Sequence, residues 1–531
     1  MAEGLARAGV KTIFTLSGNQ IMPIFDAIID VDIRLIHVRH EAAAVFMADA
    51  WSQLNDEIGV ALLPAAPGFA NGLAPLYSAT CSESAVLLLS GDSPISQDGM
   101  GAFQELDQVA IATPLTKLSR RSTSAETIQS DLYCAIKTAR SGRPGPVHLA
   151  LPQDLLGQVI DSSMISDAND YVPDIENPSD ALIQQIKNEL QQAERPLIIT
   201  GPALTETRIG ELHSRLSLSL SVPVISMESP RGFKDPSLGD FSNVLRESDV
   251  VLSLGKSIDF TLSFAKTQSF DSECRVLVVD PELQMLKRAR RALGERLVLA
   301  ETASVKSLAD SLSACQVELS TQRQKWLDRV ANVIAVRGED DDDIVSDLIH
   351  PVTLCAAVQR AISDSDNSIL VCDGGEFGQW AQAYLSASKR IINGVSGAIG
   401  GGICYGIGAK ASHPESTVFV LMGDGTAGFH LSEFETAVRN KMPLIAVIGH
   451  DARWNAEVQL QLREYGEDRL IGCELVETRY DLVVEGLGGH GEYVTDPLDL
   501  DDALKRALDS GLPACINVRI EGLPAPSGNG H

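Results

Sequence analysis

The chain predicts an α/β fold of three doubly wound parallel-sheet domains, and three observations carry that expectation. Short apolar runs alternate with stretches of helical spacing, the pattern of βα units that build parallel sheets. Two polar segments, 157–190 and 316–350, divide the alternation into three series. Two carboxylates, Asp424 and Asp451, stand just past the ends of two apolar runs, where open α/β sheets hold their ligands.

In the first series the expected strands are Thr12–Leu16, Leu35–Val38, Gly59–Leu63, Ala85–Ser90 and Val147–Ala150. The second series contributes Pro196–Thr200, Val224–Met227, Val250–Leu254 and Val276–Asp280. The third contributes Ser368–Cys372, Val418–Met422, Leu444–Ile448 and Cys515–Val518. The domain boundaries read as 1–156, linker 157–190, 191–315, linker 316–350, 351–522 and a tail, 523–531. The run Glu339–Asp343 in the second linker reads as a solvated linker or helix end rather than a cation site. No short internal repeat is visible.

At 531 residues the chain has room for three domains of about 150 residues each. A net charge of −28 argues against a nucleic-acid partner, which calls for basic patches. The nine cysteines are scattered and form no C-x-x-C pair, which predicts reduced thiols in a cytoplasmic protein. The opening MAEGLARAGVKTIF lacks a signal-peptide core. No apolar run reaches the ~18–20 residues of a membrane span, so no membrane partner is expected.

The chemistry concentrates in two places. Gly423-Asp424-Gly425 follows an apolar run, and Asp451 follows the next. Two hard oxygen ligands suit Mg²⁺ or Ca²⁺, and Mg²⁺ commonly arrives with a phosphate. The glycines let backbone amides approach that phosphate. The string Gly423-x-Gly425-x-x-Gly428 also fits a dinucleotide fingerprint, but a carboxylate inside that turn would repel a bare pyrophosphate. A tight strand–helix turn is the plain alternative. The second place is Glu41, which opens an apolar helix of small residues after a strand. Its carboxyl would be poorly solvated there; the plain alternative is a glutamate favoured by the helix dipole.

Taken together, these features resemble the thiamine diphosphate (ThDP)-dependent decarboxylase and carboligase superfamily, which includes acetolactate synthase, benzaldehyde lyase, oxalyl-CoA decarboxylase and 2-hydroxyacyl-CoA lyase. Arg39-His40-Glu41-Ala42-Ala43-Ala44 looks like the family's R-H-E-x-x-A, and Ala66-Pro67-Gly68-Phe69-Ala70-Asn71 is similar to its G-P-G-x-x-N loop. Ala102-Phe103-Gln104-Glu105 looks like A-F-Q-E, and Gly142–Val147 matches G-R-P-G-P-V. Further on, Asp373–Trp380 occupies the place of a diphosphate loop, and Gly397–Ala409 is similar to G-x-M-G-x-G-x-x-x-A-I-G.

The resemblance implies pyrimidine, central and diphosphate domains. It implies Glu41, His40, Gln104 and Phe103 as catalytic candidates, with Glu41 contacting the aminopyrimidine N1′. It implies a cofactor site of Pro67, Gly68, Asn71, Gly375, Glu376, Phe377, Ala398, Ile399, Gly423, Gly425 and Thr426. Its metal ligands would be Asp424, Asp451 and the Arg453 backbone carbonyl, holding Mg²⁺. Two residues depart from the family: His450-Asp451 replaces Asn-Asn, and Glu376 stands where Gln or Asn is common. The central domain lacks G-x-G-x-x-G; Gly255–Phe260 resembles the G-x-x-L-D-F turn of acyl-CoA lyase-like members. Some relatives bind FAD or ADP in that domain; nothing here requires either.

The expected activity is a ThDP- and Mg²⁺-dependent C–C lyase or carboligase acting on 2-oxo acids or related small carbonyl compounds, acetolactate synthase-like. The alternatives are a 2-hydroxyacyl-CoA lyase or oxalyl-CoA decarboxylase-like enzyme, a non-catalytic ThDP-fold regulatory protein, and a nicotinamide oxidoreductase. The family's sites lie between subunits, which implies a homodimer or homotetramer.

Overall fold

Apolar runs too short for helices and bounded by polar turns pair into three parallel sheets. The computed structural model describes residues 1–337 and 347–526. The acidic run Glu339–Asp343 and tail residues 527–531 lie outside the described residues. The chain divides into two compact units. One comprises Met1–Asp174, Asp347–Gly378 and Ser386–Pro524; the other comprises Ile175–Ser346, Gln379–Leu385 and Ala525–His531. The first and third expected series thus share one unit.

That unit holds two six-stranded sheets. The first contains β1 (Thr12–Thr15), β2 (Arg34–His37), β3 (Gly59–Leu63), β4 (Val86–Asp92), β5 (Leu118–Arg121) and β6 (Val147–Pro152), in the order 2-1-3-4-6-5. The second unit contains β7 (Pro196–Thr200), β8 (Val224–Ser226), β9 (Val250–Leu254), β10 (Arg275–Val279) and β11 (Leu297–Glu301), in the order 11-10-9-7-8. Back in the first unit, β12 (Ile369–Cys372), β13 (Lys389–Ile392), β14 (Val418–Gly423), β15 (Ile445–His450), β16 (His490–Val494) and β17 (Ala514–Arg519) run 13-12-14-15-17-16. Every strand pair is parallel. The interior strands β3, β4, β6, β7, β9 and β12 are buried along their whole length, as sheets covered on both faces require.

All the expected strands are present, with ends shifted by no more than two residues and with β3, β7 and β9 matching at both ends. Four others, β5, β11, β13 and β16, are invisible to apolar-run analysis, and each lies at a sheet edge. Order also extends into both polar segments. Helix Asp180–Gln192 begins inside the first and buries Leu182, Ile186 and Leu190 on one stripe. Helix Thr321–Ile334 lies in the second; its Arg323 donates to the Leu190, Ala193 and Ser221 carbonyls, and its Trp326 indole to the Pro196 carbonyl.

The helix that positions the site is Glu41–Asn55, buried on nearly every side. A helix apolar all round needs cover all round. It packs on the first sheet and against helix Gly402–Ser412. Small residues permit that close approach: a Cβ on Gly408 would lie 2.7 Å from the Met47 carbonyl oxygen. A polar tie crosses this interface. The Tyr405 hydroxyl donates to Asp49 Oδ2 at 2.9 Å, and Gln53 donates to Asp49 Oδ1 at 2.9 Å. A hydrogen bond to a charged group is worth about 1.5–3 kcal/mol. Among the described residues no helix is long and apolar enough to cross a membrane.

Candidate active site

Both sheets of the first unit reverse strand order between their first and third strands, β1/β3 and β12/β14. The crevice past the carboxyl ends of such strands is where ligands bind in doubly wound folds. The predicted residues fall there in two groups.

One group surrounds Glu41. His40 caps the helix, its Nδ1 accepting from the Ala42 amide at 3.2 Å. The Asn71 amide donates to Glu41 Oε2 at 2.9 Å. Asn71 ends the short helix Pro67–Asn71. A Cβ on Gly68 would lie 3.2 Å from Glu41 Oε1 and closer still to the Pro64 ring, so glycine is needed for this loop to reach the carboxyl. Within one chain Glu41 stays partly exposed; the dry surroundings expected of it are not complete here.

Gln104 and Phe103 lie on a loop beyond β4. Gln104 has a φ of +59°, a conformation rare for residues with a Cβ. Three amides, those of Gly99, Gly101 and Ala102, donate to the Glu105 carboxylate and shape the loop. Arg121 joins Asp92 on β4 to Asp98 on the loop. Buried Gln20 donates to Gln104 Oε1 at 2.5 Å, a contact with no sequence signal. Phe103 is 71% exposed.

The second group lies beyond β12, β14 and β15. Asp424 opens helix Asp424–Ala427 and is 2% exposed. Its Oδ2 has no hydrogen-bond partner. The nearest ionisable ring is that of His450, whose Nε2 is 3.6 Å away. That nitrogen faces the Thr478 amide, which donates to it, so the proton sits on Nδ1 toward the Asn517 side-chain oxygen. Burial also lowers the His450 pKa, so the ring brings no positive charge to Asp424. The Asp451 carboxyl faces Asp424 and accepts from the Arg453 amide at 3.2 Å. Burial pushes both carboxyls above the usual range, and the charge of Asp424 raises Asp451 further. A buried and a half-buried carboxyl face to face, one oxygen unsatisfied, could serve as donors to a hard cation.

The walls of this group are glycines with defined reasons. A Cβ on Gly425 would lie 2.8 Å from the Trp454 ring, and one on Gly449 would lie 2.4 Å from Phe377. Phe377 is therefore packed onto β15. Nothing lies within 4 Å of a Cβ on Gly423, which leaves open space beside Asp424. Thr426 Oγ1 donates back to the Gly423 carbonyl, closing the turn. Asp373 anchors the Ile399 segment: its carboxylate accepts from the Gly374, Gly400 and Gly402 amides, and burial pushes its pKa up to about 6. Ile399 lies against Gly374, where a Cβ would be 2.4 Å from its Cγ2. Ala398 donates its amide to Ser396. Gly375 and Glu376 begin helix Gly375–Tyr384. Among the described residues no hydrogen bond or ion pair joins Glu41 to Asp424 or Asp451.

Comparison with known proteins gives this geometry its class. Residues 1–111 match the N-terminal TPP binding domain of thiamine pyrophosphate enzymes, and residues 373–518 match their C-terminal TPP binding domain. The chain is 32% identical to an acetolactate synthase large subunit, IlvG, of Mycobacterium tuberculosis, over 98% of this chain and 94% of that one. It is 29% identical to human 2-hydroxyacyl-CoA lyase 2, over 98% and 89%. The thiamine diphosphate-dependent 4-hydroxybenzoylformate decarboxylase of Rhodococcus jostii RHA1 shares the fold, with a TM-score of 0.83 at 23% identity over 98% of both chains. The chain belongs to the thiamine pyrophosphate enzyme family. Within it, the protein is a ThDP-dependent enzyme of the C–C lyase and carboligase class, so the nicotinamide reading of the glycine string falls away.

Proposed function

We propose that this is an acetolactate synthase-like enzyme that acts on 2-oxo acids with ThDP and Mg²⁺. The observation that carries the metal and diphosphate assignment is the unpartnered Asp424 Oδ2 facing Asp451 beside the open space at Gly423. These residues would suit a hard cation held together with a diphosphate. Asp424, Asp451 and the Arg453 carbonyl would hold the metal; Gly375, Glu376, Ala398, Gly423, Gly425 and Thr426 would border the diphosphate and thiazolium, and Ile399 would support the ring. Pro67, Gly68 and Asn71 would border the aminopyrimidine. When bound, ThDP supplies a nucleophilic carbon that adds to a substrate carbonyl.

Glu41 presents Oε1 over Gly68 while Asn71 holds Oε2, so one carboxyl oxygen is fixed and the other is left to exchange a proton with the ring nitrogen. His40 spends its Nδ1 on the helix cap and so orients the start of the Glu41 helix. Gln20 holds Gln104 by its carbonyl, leaving the Gln104 amide hydrogens for a substrate carboxylate or carbonyl. Phe103 supplies an apolar wall.

The partial exposure of Glu41 in one chain supports a site completed by Asp424 of the partner subunit, in a homodimer or homotetramer. Nine free thiols favour a reducing compartment, and we assign the enzyme to the cytoplasm.

The similarity to 2-hydroxyacyl-CoA lyases supports a second reading, cleavage of a 2-hydroxyacyl-CoA. Assays with ThDP and Mg²⁺ separate the two. Consumption of a 2-oxo acid with release of carbon dioxide and formation of an acyloin is expected. Turnover of 2-hydroxyacyl-CoAs alone would establish the second reading.

A further inference from the structure

Glu433 opens helix Glu433–Arg439 and is 0% exposed. No motif marks it. Its carboxylate accepts from three donors: the Arg39 amide at 2.9 and 3.2 Å, the His40 amide at 3.0 Å, and the Thr436 hydroxyl at 2.7 Å. Two of these are main-chain groups immediately before Glu41, roughly four hundred residues away in sequence. The same helix also grips the end of β2, because Arg439 donates to the His37 carbonyl, two residues before Arg39, at 2.6 Å. Glu435 of this helix lies 3.8 Å from the Arg39 guanidinium.

A fully buried carboxylate with only neutral hydrogen-bond donors is a costly way to satisfy two amides. What it supplies is stiffness, since bonds to an ionised acceptor are shorter and about twice as strong as neutral ones. The peptide it stiffens is the one from which Glu41 projects. Asn71 fixes the far end of the Glu41 side chain; Glu433 fixes the near end.

We infer that Glu433 is a positioning residue for the reaction: by clamping the Arg39 and His40 amides it sets where the Glu41 carboxyl meets the cofactor ring. The inference rests on the assignment of Glu41 above. Small displacements are enough to matter, because a misplacement of about 1 Å can cost on the order of a hundredfold in rate.

The test is a double-mutant cycle on the intact protein, read by C2–H/D exchange of bound ThDP and, separately, by ThDP affinity from calorimetry. Glu433→Gln keeps the volume but turns an amide group toward donors. It should slow exchange about tenfold or more while ThDP affinity stays within about threefold. In a Glu41→Gln background the same change should have no further effect, because residues acting through one another are non-additive. Thr436→Val, which removes only the third donor, should give a smaller loss with the same non-additivity, and it serves if Glu433→Gln does not fold. Wild-type exchange in both variants, or an equal loss with and without Glu41, would overturn the inference. Exchange and affinity falling together would make Glu433 a structural residue only. If Glu41→Gln itself exchanges like wild type, the Glu41 assignment fails first, and that outcome is distinct.

Discussion

The two six-stranded sheets of the first unit have the same strand order, yet they carry carboxylates at different strand ends. In the first sheet the carboxylate proposed for proton transfer, Glu41, follows the second strand, and the loop after the third strand brings Gly68 and Asn71 to it. In the other sheet the carboxylates follow the third and fourth strands, as Asp424 and Asp451, and the second strand is followed by the Ile399 segment. Asp373, after that sheet's first strand, is spent on holding the Ile399 segment; the corresponding place in the first sheet is Leu16, followed by Ser17 and Gly18. One topology therefore supplies a set of ligand-facing loops, and under the proposed function single residues would decide whether a half handles protons or holds a cation.

The largest test of this division is Glu41→Gln. It should leave ThDP binding intact and slow C2–H/D exchange by ~10²–10⁴-fold, the usual span of general acid–base catalysis. Exchange at the wild-type rate would show that the proton-handling group lies elsewhere. Asp424→Ala should do the opposite: titration calorimetry should show ThDP affinity in Mg²⁺ falling by about a hundredfold, since a charged ligand is lost. If affinity is unchanged with EDTA present, the second half is not the metal half.

A smaller effect tests the glycine walls. Gly374→Ala puts a Cβ 2.4 Å from Ile399, and overpacking of that kind costs about 1–3 kcal/mol. A thermal melt within a degree of wild type would mean that the Ile399 segment yields freely.

The smallest effect sharpens the contrast in charge. Burial raises the Asp424 and Asp451 pKa values in the folded protein. The folded state therefore binds their protons more tightly than the unfolded chain does. In EDTA, this pair's contribution to stability should rise as pH falls from neutral toward the ordinary carboxylate range near ~4. Asp451→Asn removes one charge of the pair, so its melting temperature should depend less on pH than that of the wild type. Mg²⁺ with ThDP should flatten the wild-type dependence as well. Parallel pH profiles for wild type and variant would refute the facing-carboxyl account.

Legibility followed burial. Strands such as β3, β7 and β9, whose ranges read directly from apolar runs, lie inside their sheets. The unforeseen β5, β11, β13 and β16 are edge strands with mixed exposure, and a half-exposed strand with one neighbour has no reason to be uniformly apolar. The site divided in the same way. Glu41, Asn71, Asp424 and Asp451 stand in motifs written within one strand–turn–helix unit, so their placement could be read from sequence. Gln20 and Glu433 act across the fold and carry no local pattern.

The sequence by itself determined the class of fold, the central strands, the two carboxylate-bearing turns and the family, because each is written within a few residues by periodicity, turn glycines and motif. Only the tertiary structure decided that the first and third series form one unit and that Phe377 packs on Gly449. It alone revealed that Asp424 keeps an unsatisfied oxygen and that Glu433 clamps the start of the Glu41 helix. The physical reason is that local periodicity reports which face of an element is buried, whereas the partner that buries it can come from anywhere in the chain.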